Sequence, residues 1–162
     1  MYTVGIITAS DKGSKGERED ISGQVIREMM EQNGYEIKEH RIIPDEQPLL
    51  EQAMIEMADE LQVDLILTTG GTGLSMRDRT PEATIAVCDR LVPGIPEAMR
   101  SYSLAITNRA MLSRAVAGTR NKTLIINLPG SPKGVRENLE CIIDPLSHAL
   151  GILIGSATEC AR

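Results

Sequence analysis

Two glycine-rich loops are the segments of this sequence best suited to binding a phosphate group. The loop Gly70–Gly73 (GGTG) follows the apolar run Leu65–Thr69, and the loop Pro129–Gly134 follows the apolar run Leu124–Leu128. Glycines let the backbone approach a ligand closely and turn its N–H groups outward, so such loops can cradle phosphate oxygens. The alternative is a pair of tight strand-to-helix turns. Because ligands of open α/β sheets bind at the carboxyl ends of the strands, we favour one pocket that uses both loops.

Neither loop carries a named nucleotide-binding fingerprint, since GxxxxGK[ST] and GxGxxG are both absent from the chain. P-loop and Rossmann dinucleotide sites are therefore excluded. His40 and His148 have no companions that would form a nucleophilic triad or a zinc site, and are interpreted as surface or packing residues. Ser113, Arg114 and Lys133 are candidates for contacts to phosphate or carbonyl oxygens, the alternative being solvated surface side chains.

Two aspartates lie near the predicted phosphate site. Asp78 stands between Arg77 and Arg79 just after the first loop, and Asp45 follows the second predicted strand. Two carboxylates beside a phosphate suit Mg²⁺, which takes few protein oxygens and leaves its other positions to water and phosphate. The flanking arginines are expected to keep Asp78 ionised. The alternatives are a carboxylate at the start of the next helix for Asp78, and a turn or cap residue for Asp45.

The elements that must position these residues alternate between apolar runs of strand length and stretches of helical period, the pattern of an α/β fold. Strands are predicted at Thr3–Ser10, Tyr35–Ile43, Leu65–Thr69 and Leu124–Leu128, with Arg114–Gly118 as a short edge strand in a hairpin with the last. Such a hairpin makes the sheet mixed.

Helices are predicted between the strands from caps and apolar stripes. Asp20 caps the first helix, with Gly34 at its end; Pro48 opens the second; and Thr80 caps the third, with Pro81 in its first turn. The remaining expectations are a mobile loop at Asp11–Glu19, helical segments at Pro96–Ile106 and Arg109–Leu112, and two helices after Gly134.

The composition describes one domain, residues 1–162, with an aliphatic core. Of the 162 residues, 41% are hydrophobic, and none is Phe or Trp, a length and composition that fit a single globular domain. Seventeen Lys and Arg against 23 Asp and Glu give a net charge of −6. Nucleic acid is therefore not expected as a partner, because nucleic-acid binding relies on a basic surface.

No segment is expected to cross a membrane. The longest run without Asp, Glu, Lys or Arg, residues 145–158, is shorter than the ~20 apolar residues that a span needs. No basic region precedes the apolar start Val4–Ile7, so it is interpreted as a strand and not as a signal peptide. These features predict a cytoplasmic protein, in which Cys88, Cys141 and Cys160, without any CxxC pair, are reduced thiols.

Six motifs spread over nearly the whole chain are together specific for one family. They are GIITASDKG near the N-terminus, IPDEQ at Ile43–Gln47, LTTGGTGLSMRDRTPEAT at Leu67–Thr84, PGIPEAMR at Pro93–Arg100, LSRAVAG at Leu112–Gly118 and NLPGSPKG at Asn127–Gly134. With these motifs the sequence resembles the MogA/MoaB family of molybdenum cofactor biosynthesis proteins, and most of all the MogA-type molybdopterin adenylyltransferases.

The resemblance implies a three-layer α/β/α domain with a mixed, mostly parallel five-stranded sheet, usually assembled as a homotrimer. It also implies Mg²⁺-dependent transfer of AMP from ATP to the phosphate of molybdopterin, with release of pyrophosphate and hand-over of the product to a separate molybdate-inserting enzyme. The motifs TGGTGLS and SRAVAG recur in the MoaB-type branch. The alternative is therefore a molybdopterin-binding or carrier protein without adenylyl transfer.

The resemblance assigns roles to individual residues. Asp78 matches the essential aspartate of the family and Asp45 its second functional aspartate, both as catalytic residues and as Mg²⁺ ligands. The residues that match the nucleotide, phosphate and ligand-cleft segments are Gly70, Gly71, Thr72, Gly73, Glu97, Ser113, Pro129, Gly130, Ser131 and Lys133.

Overall fold

The computed structural model describes residues 1–157 as a six-stranded sheet between two layers of helices. The strands are β1 (Thr3–Ala9), β2 (Glu36–Ile43), β3 (Leu65–Thr69), β4 (Arg90–Leu91), β5 (Ala117–Arg120) and β6 (Thr123–Leu128). The α-helices are α1 (Asp11–Ser14), α2 (Ile21–Gln32), α3 (Gln47–Ile55), α4 (Thr80–Val87), α5 (Gly94–Leu104) and α6 (Pro132–Ile154). A π-helical segment, Glu56–Glu60, extends α3, and a 3₁₀-helix, Asn108–Leu112, follows α5.

The strand order β2-β1-β3-β6-β5-β4 fixes where a ligand crevice forms. Strands β2, β1, β3 and β6 run parallel, whereas β5 is antiparallel to β6 and β4 is antiparallel to β5. The chain steps outward from β1 to β2 and then crosses back to β3, so the direction of winding reverses between β1 and β3. Ligands of open α/β sheets bind outside the carboxyl ends of the strands at such a reversal.

Two apolar cores, one on each face of the sheet, hold the three layers together. On one face Val4 and Ile6 of β1 pack with α2, α5 and α6, and on the other face Ile7 packs with α3, its π-helical extension and α4. Every residue of β3 and β6 is buried, which is why these strands are apolar without alternation. The resulting α/β/α layering confirms the fold class implied by the resemblance.

Local sequence signals set the starts and ends of several helices. The Asp20 carboxylate and the Ser131 hydroxyl each accept a hydrogen bond from the backbone N–H three residues later, at 2.9 and 3.1 Å, so both are N-caps. Gly34, after α2, has a left-handed φ of 84°, and Pro48 lies in the first turn of α3. Asp20, Gly34 and Pro48 confirm the predicted boundaries, whereas the Ser131 cap was not predicted, and α6 begins at Pro132 and not after Gly134.

The sheet has six strands, where five were expected. The additional strand, β4, comprises only Arg90 and Leu91, which pair with β5. Two residues carry no alternating pattern, so no sequence signal marks this strand. Its pairing makes β5 an inner strand and not the predicted edge strand, and β5 begins at Ala117 and not at Arg114. The predicted hairpin between β5 and β6 is confirmed.

The segment after the second glycine loop forms one helix, where two were expected. Helix α6 continues through Pro145, a residue that removes one backbone hydrogen bond from a helix. Buried Ile142 and Leu146 lie on either side of this proline and pack into the core. Their packing keeps the helix continuous across the proline.

Two further expectations about helix starts are wrong. The segment Asp11–Glu19 is not a loop throughout, because it begins with α1, where Ser10 Oγ accepts a hydrogen bond from Gly13 N at 2.9 Å. Thr80 is the first residue of α4 and not its cap; its hydroxyl is buried and has no partner among residues 1–157. Its backbone N–H donates to Gly71 O at 3.2 Å, so Thr80 packs against the first glycine loop.

The two cysteines within residues 1–157, Cys88 and Cys141, are free thiols. Burial raises the pKa of the Cys88 thiol to about 11, which disfavours the reactive thiolate. Cys160 lies outside the described residues. None of the helices in residues 1–157 has the length and apolar character that crossing a bilayer requires.

Asn127, fully buried near the end of β6, is expected to stabilise the fold strongly. Its Nδ2 donates to Thr68 Oγ1 (3.1 Å) and Thr84 Oγ1 (2.9 Å), and its Oδ1 accepts from Val116 N (3.2 Å). Asn127→Ala removes these three hydrogen bonds, so we expect urea denaturation to show a loss of about 2–4 kcal/mol in the free energy of unfolding. The control, Gln24→Ala on the exposed side of α2, should change it by less than about 0.5 kcal/mol. Equal stability of the two variants would contradict this role of Asn127.

Candidate active site

A cavity of about 570 Å³ opens between the carboxyl ends of β1 and β3. We name it the carboxylate cavity, because Asp11, Asp45 and Asp78 lie in its lining, together with Gly71 and Gly130. It lies where the winding of the sheet reverses, the usual place for a ligand in this architecture. The structure therefore brings both predicted aspartates and both glycine loops to one site.

The first glycine loop turns so tightly that side chains are excluded at two positions. Gly70 and Gly71 have left-handed φ values of 89° and 69°, which glycine adopts without strain. A Cβ on Gly70 would lie 2.4 Å from Ala9 O, and a Cβ on Gly71 would lie 2.3 Å from Thr80 Oγ1. Both glycines are thus required by the turn itself, in addition to any contact with a ligand.

The second glycine loop directs two carbonyl groups into the protein. Thr69 Oγ1 donates to Pro129 O at 2.6 Å, and Ser22 Oγ donates to Gly130 O at 2.7 Å. The C=O and N–H groups of one trans peptide point in opposite directions. The N–H groups of Gly130 and Ser131 therefore point away from Thr69 and Ser22, as an anion-binding loop requires.

Asp11 and Asp45 are joined by reciprocal hydrogen bonds. Asp45 N donates to Asp11 Oδ1 (2.9 Å), and Asp11 N donates to Asp45 Oδ2 (3.1 Å). The Arg77 guanidinium forks onto Asp11 at 2.9 and 3.1 Å and lowers the pKa of that carboxyl. Burial raises the pKa of the Asp45 carboxyl, and the charges of Asp11 and Asp78 add to the rise. Negative charge thus accumulates around Asp45, where a cation would be stabilised.

Asp78 closes an exposed loop onto itself. Its Oδ2 accepts from Ser75 N at 3.0 Å, and its N–H donates to Ser75 O at 2.9 Å. The two flanking arginines, which were expected to keep Asp78 ionised, have other partners. Arg77 binds Asp11 of α1, and Arg79 donates to Gln47 Oε1 at 3.1 Å. Neighbouring side chains of this irregular loop point to different sides of the backbone, so adjacency in sequence does not make them partners.

The donor set of the carboxylate cavity fits a Mg²⁺ ion that is held largely by its substrate. Among residues 1–157, no group of three or more His, Cys, Asp or Glu forms a metal site. Mg²⁺ is commonly bound through one or two carboxylates and substrate phosphates. Asp45 and Asp78 supply two carboxylates, and a divalent cation would relieve the charge crowding that raises the pKa of Asp45. Their role as metal ligands stays a prediction.

A second cavity, of about 480 Å³, is lined by α5, the 3₁₀-helix and α6, and we name it the helix cavity. The loop residues divide between the two cavities: Gly70, Gly71 and Gly130 line the carboxylate cavity, and Thr72, Gly73, Pro129 and Ser131 line the helix cavity. Residues of both loops line each cavity, as expected, but they serve two cavities where one was expected. Successive residues of a tight turn face opposite sides, so the two loops form a wall with a cavity on each side.

Of the remaining predicted site residues, some line a cavity and others do not. Ser113 and Lys133 line the helix cavity, although the Lys133 side chain is 82% exposed and its Nζ lies 3.9 Å from Glu137. Glu97 is exposed on α5 and lines neither the carboxylate cavity nor the helix cavity. The Arg114 guanidinium donates to protein groups, namely Gly73 O, Glu82 and Asp78 O.

An acid–imidazole contact beside the carboxylate cavity was missed by sequence analysis. His40 Nε2 donates to Asp20 Oδ2 at 2.8 Å, and Thr8 Oγ1 donates to the same oxygen at 2.7 Å. His40, interpreted from sequence as a surface or packing residue, thus has a specific hydrogen-bond partner in Asp20. A Cβ on Gly23 would lie 2.5 Å from the His40 ring. This glycine within a helical stretch is the signal that could have revealed the contact, because glycine there often marks a close approach.

The fold and the two cavities define an open α/β protein with ligand sites at the carboxyl ends of its central strands. A family model described as a probable molybdopterin binding domain matches residues 5–148. The chain belongs to this family, as its sequence motifs indicated.

Named relatives and solved structures agree with this assignment. The molybdopterin adenylyltransferase of Helicobacter pylori J99 is 46% identical over 156 residues, which cover 94% of this chain and 88% of that protein. The molybdopterin adenylyltransferase of Escherichia coli K12 is 44% identical over 144 residues, which cover 87% of this chain and 73% of that protein. The crystal structure of the molybdopterin biosynthesis enzyme MoaB from Thermus thermophilus matches with a TM-score of 0.91 and 51% identity, covering 96% of this chain and 98% of that chain.

Asp20 is expected to make the stability of the protein depend on pH in the acid range. Burial raises its pKa, but hydrogen bonds from His40, Thr8 and the Gly23 N–H lower it overall below the ordinary value of 3.8. A carboxyl with a lowered folded pKa stabilises the fold above its unfolded pKa, and the contribution is lost as the pH falls through the folded pKa. We therefore expect Asp20→Ala to lower the free energy of unfolding by about 1–3 kcal/mol at neutral pH.

Urea denaturation between about pH 7 and pH 2.5 tests this expectation, because the deficit of Asp20→Ala should shrink below about pH 4. The matched control is Glu28→Ala, an exposed position on the same helix, which should change stability by less than about 0.5 kcal/mol at every pH. A deficit of Asp20→Ala that stays constant down to the lowest pH would show that the charge of Asp20 contributes nothing.

Proposed function

We propose that this protein is a molybdopterin adenylyltransferase, which transfers AMP from Mg²⁺-bound ATP to the phosphate of molybdopterin and releases pyrophosphate. The observation that carries the proposal is the pair of cavities on either side of the two glycine loops. A reaction that joins two phosphate-bearing substrates needs both phosphates at one anion-binding wall. Relatives named molybdopterin adenylyltransferase, at 43–46% identity over most of the chain, support the same activity.

In this proposal the carboxylate cavity takes ATP and the helix cavity takes molybdopterin. ATP binds with Mg²⁺, and Asp45 and Asp78 supply the carboxylates that suit this ion. The helix cavity combines apolar Met99 and Ile106 with polar groups such as Asn138. This mixture suits a flat pterin ring with polar edges.

Catalysis by such a site consists of positioning and charge neutralisation. An oxygen of the molybdopterin phosphate forms the new bond to the α-phosphorus of ATP, and the bond to the β-phosphate oxygen breaks. The outward N–H groups of the glycine loops orient the phosphates. Asp45 and Asp78 would hold Mg²⁺, which neutralises phosphate charge when bound. Ser113 and Lys133, in the lining of the helix cavity, are proposed contacts for molybdopterin.

The second candidate function is a molybdopterin carrier without adenylyl transfer, the alternative that the motifs shared with the MoaB-type branch leave open. The presence of both Asp45 and Asp78 in one cavity supports the enzyme, because a carrier needs no pair of metal-binding carboxylates. Incubation with molybdopterin, ATP and Mg²⁺, followed by mass spectrometry, decides between them. Adenylylated molybdopterin and pyrophosphate are expected; recovery of unchanged molybdopterin in the bound state would identify a carrier.

We further propose that residues 1–162 form a single molybdopterin-binding domain that assembles as a homotrimer in the cytoplasm and hands its product to a molybdate-inserting enzyme. Large apolar side chains are exposed at the end of α5 and along the 3₁₀-helix, among them Leu104, Ile106, Met111 and Leu112. Clustered exposed apolar residues often mark protein interfaces. They support the assembly of several copies.

Light scattering on the purified protein is expected to give about three times the mass of one chain. Met111→Glu should lower this mass, because a carboxylate at 64% exposure in the monomer would lose its hydration in an interface. Lys15→Glu, at an exposed position after α1, is the control and should leave the mass unchanged. The mass of a single chain for the parent would contradict the trimer.

Asp78→Asn is expected to fold and to bind molybdopterin, yet to lose adenylyl transfer. The asparagine can still accept the hydrogen bond from Ser75 N, so the loop is retained, but it no longer carries the charge that holds Mg²⁺. We expect kcat to fall by at least about 100-fold, because such a charge contributes several kcal/mol in the transition state. Asp45→Asn should show a smaller loss of the same kind.

The control for both variants is Asp144→Asn, an exposed position on α6 outside the lining of both cavities, which should keep the activity of the parent. Normal turnover by Asp78→Asn would place the metal elsewhere. Failure of Asp78→Asn to fold would instead identify the carboxylate as a structural part of the loop.

A further inference from the structure

We propose that Arg114 is a positioning residue for Asp78, and that it acts through the backbone of the loop that carries this aspartate; the inference rests on the proposed function. Arg114 lies between the 3₁₀-helix and β5, and its side chain is about one third exposed, at 36%. Its guanidinium donates to backbone carbonyls and to a carboxylate of the protein.

One guanidinium ties both ends of the Asp78 loop. Arg114 Nε donates to Gly73 O at 2.7 Å, and Nη2 donates to Asp78 O at 2.8 Å. The backbone N–H of Arg114 also donates to Thr72 O at 2.9 Å. The segment from Gly73 to Asp78 is therefore fastened at its first and last residues to a single side chain.

Glu82 fixes the orientation of that guanidinium. Arg114 Nη1 lies 2.8 Å from both carboxylate oxygens of Glu82, which is in the first turn of α4. Because α4 is anchored in the core through Ala83 and Val87, the carboxylate is held by a rigid element. Only arginine has a planar array of donors that can serve a carboxylate and two carbonyls at once; lysine presents a single ammonium.

The loop between the two tied carbonyls is otherwise weakly held. Leu74 and Met76 are 68% and 91% exposed, so they contribute little packing. The hydrogen bonds between Ser75 and Asp78 lie within the loop itself. Arg77 holds the outer side of the loop through Asp11, at an exposed pair. Arg114 is thus the anchor on the inner side, and the position of the Asp78 carboxylate depends on it.

A matched control exists in Arg120, at the other end of β5. Its guanidinium forks onto Asp59 at 2.7 and 3.0 Å and donates to Val87 O at 2.9 Å. Arg120 therefore combines a carboxylate fork and a backbone carbonyl, as Arg114 does, but lies away from both cavities. Removing either guanidinium should cost comparable stability, and only the loss of Arg114 should disturb Asp78.

The test compares Arg114→Met with Arg120→Met. For Arg114→Met we expect kcat to fall by at least about tenfold, since small displacements of catalytic groups have effects of this size. We also expect the affinity for Mn²⁺ in the presence of ATP, measured by electron paramagnetic resonance, to weaken, and amide exchange at residues 73–78 to accelerate. Arg120→Met should match the parent in all three measurements. Parent-like kcat, Mn²⁺ affinity and exchange in Arg114→Met would overturn the proposal.

Two conservative variants keep the test valid if Arg114→Met does not fold. Arg114→Lys retains the positive charge and one hydrogen bond to a carbonyl. Glu82→Gln retains one hydrogen bond to the Arg114 guanidinium. For both variants, kcat and the rate of amide exchange at residues 73–78 should lie between the values of the parent and those of Arg114→Met. Parent-like values in both would also overturn the proposal. If the parent itself transfers no AMP, the proposed function fails, and amide exchange at residues 73–78 alone decides whether Arg114 positions the loop.

Discussion

The contact between the end of β3 and the backbone of β1 is the constraint on which the site depends. Gly70 packs so closely that any side chain there would lie 2.4 Å from Ala9 O. This approach is possible only for glycine in a left-handed conformation. Thr69, which precedes Gly70 in the chain, donates a hydrogen bond from its Oγ1 to Pro129 O. The carboxyl ends of the parallel strands β1, β3 and β6 are therefore fixed relative to one another. Both cavities open from this fixed edge of the sheet.

The carboxylates of the carboxylate cavity repel one another, which costs stability in the absence of a bound cation. Arg77 neutralises Asp11, but Asp45 is half-buried, and its pKa is raised by burial and by the charges of Asp11 and Asp78. A carboxyl whose pKa is raised in the folded state destabilises the fold once it ionises at neutral pH. A divalent cation bound there would remove that cost. The three aspartates thus form a charge arrangement that is unfavourable alone, as is common at functional sites.

Sequence predicted the parts of this protein that local chemistry determines. Apolar runs located the central strands, Asp20 was identified as a cap, and the glycine loops were placed at the ends of β3 and β6. The parts that were missed depend on contacts between distant segments. β4 exists only because it pairs with β5, and the guanidinium of Arg114 reaches carbonyls far away in sequence. No local pattern encodes such a contact, so sequence suggested only a phosphate or carbonyl contact or a solvated side chain for Arg114, and not its bonds to these backbone carbonyls.

The two glycine loops separate the two cavities, and their backbone groups are also placed to orient ligands in both. In the first loop, Gly71 O accepts from Thr80 N and Thr72 O accepts from Arg114 N; in the second loop, the corresponding carbonyls are held by Thr69 and Ser22. With these carbonyls turned into the protein, the planarity of the peptide directs the following N–H groups the other way. The two glycine loops would then present backbone N–H donors to phosphates in both the carboxylate cavity and the helix cavity. In the proposed reaction, two phosphates bound at this wall would be held close together, so positioning by the loops and charge neutralisation would suffice without a side chain that carries the group between them.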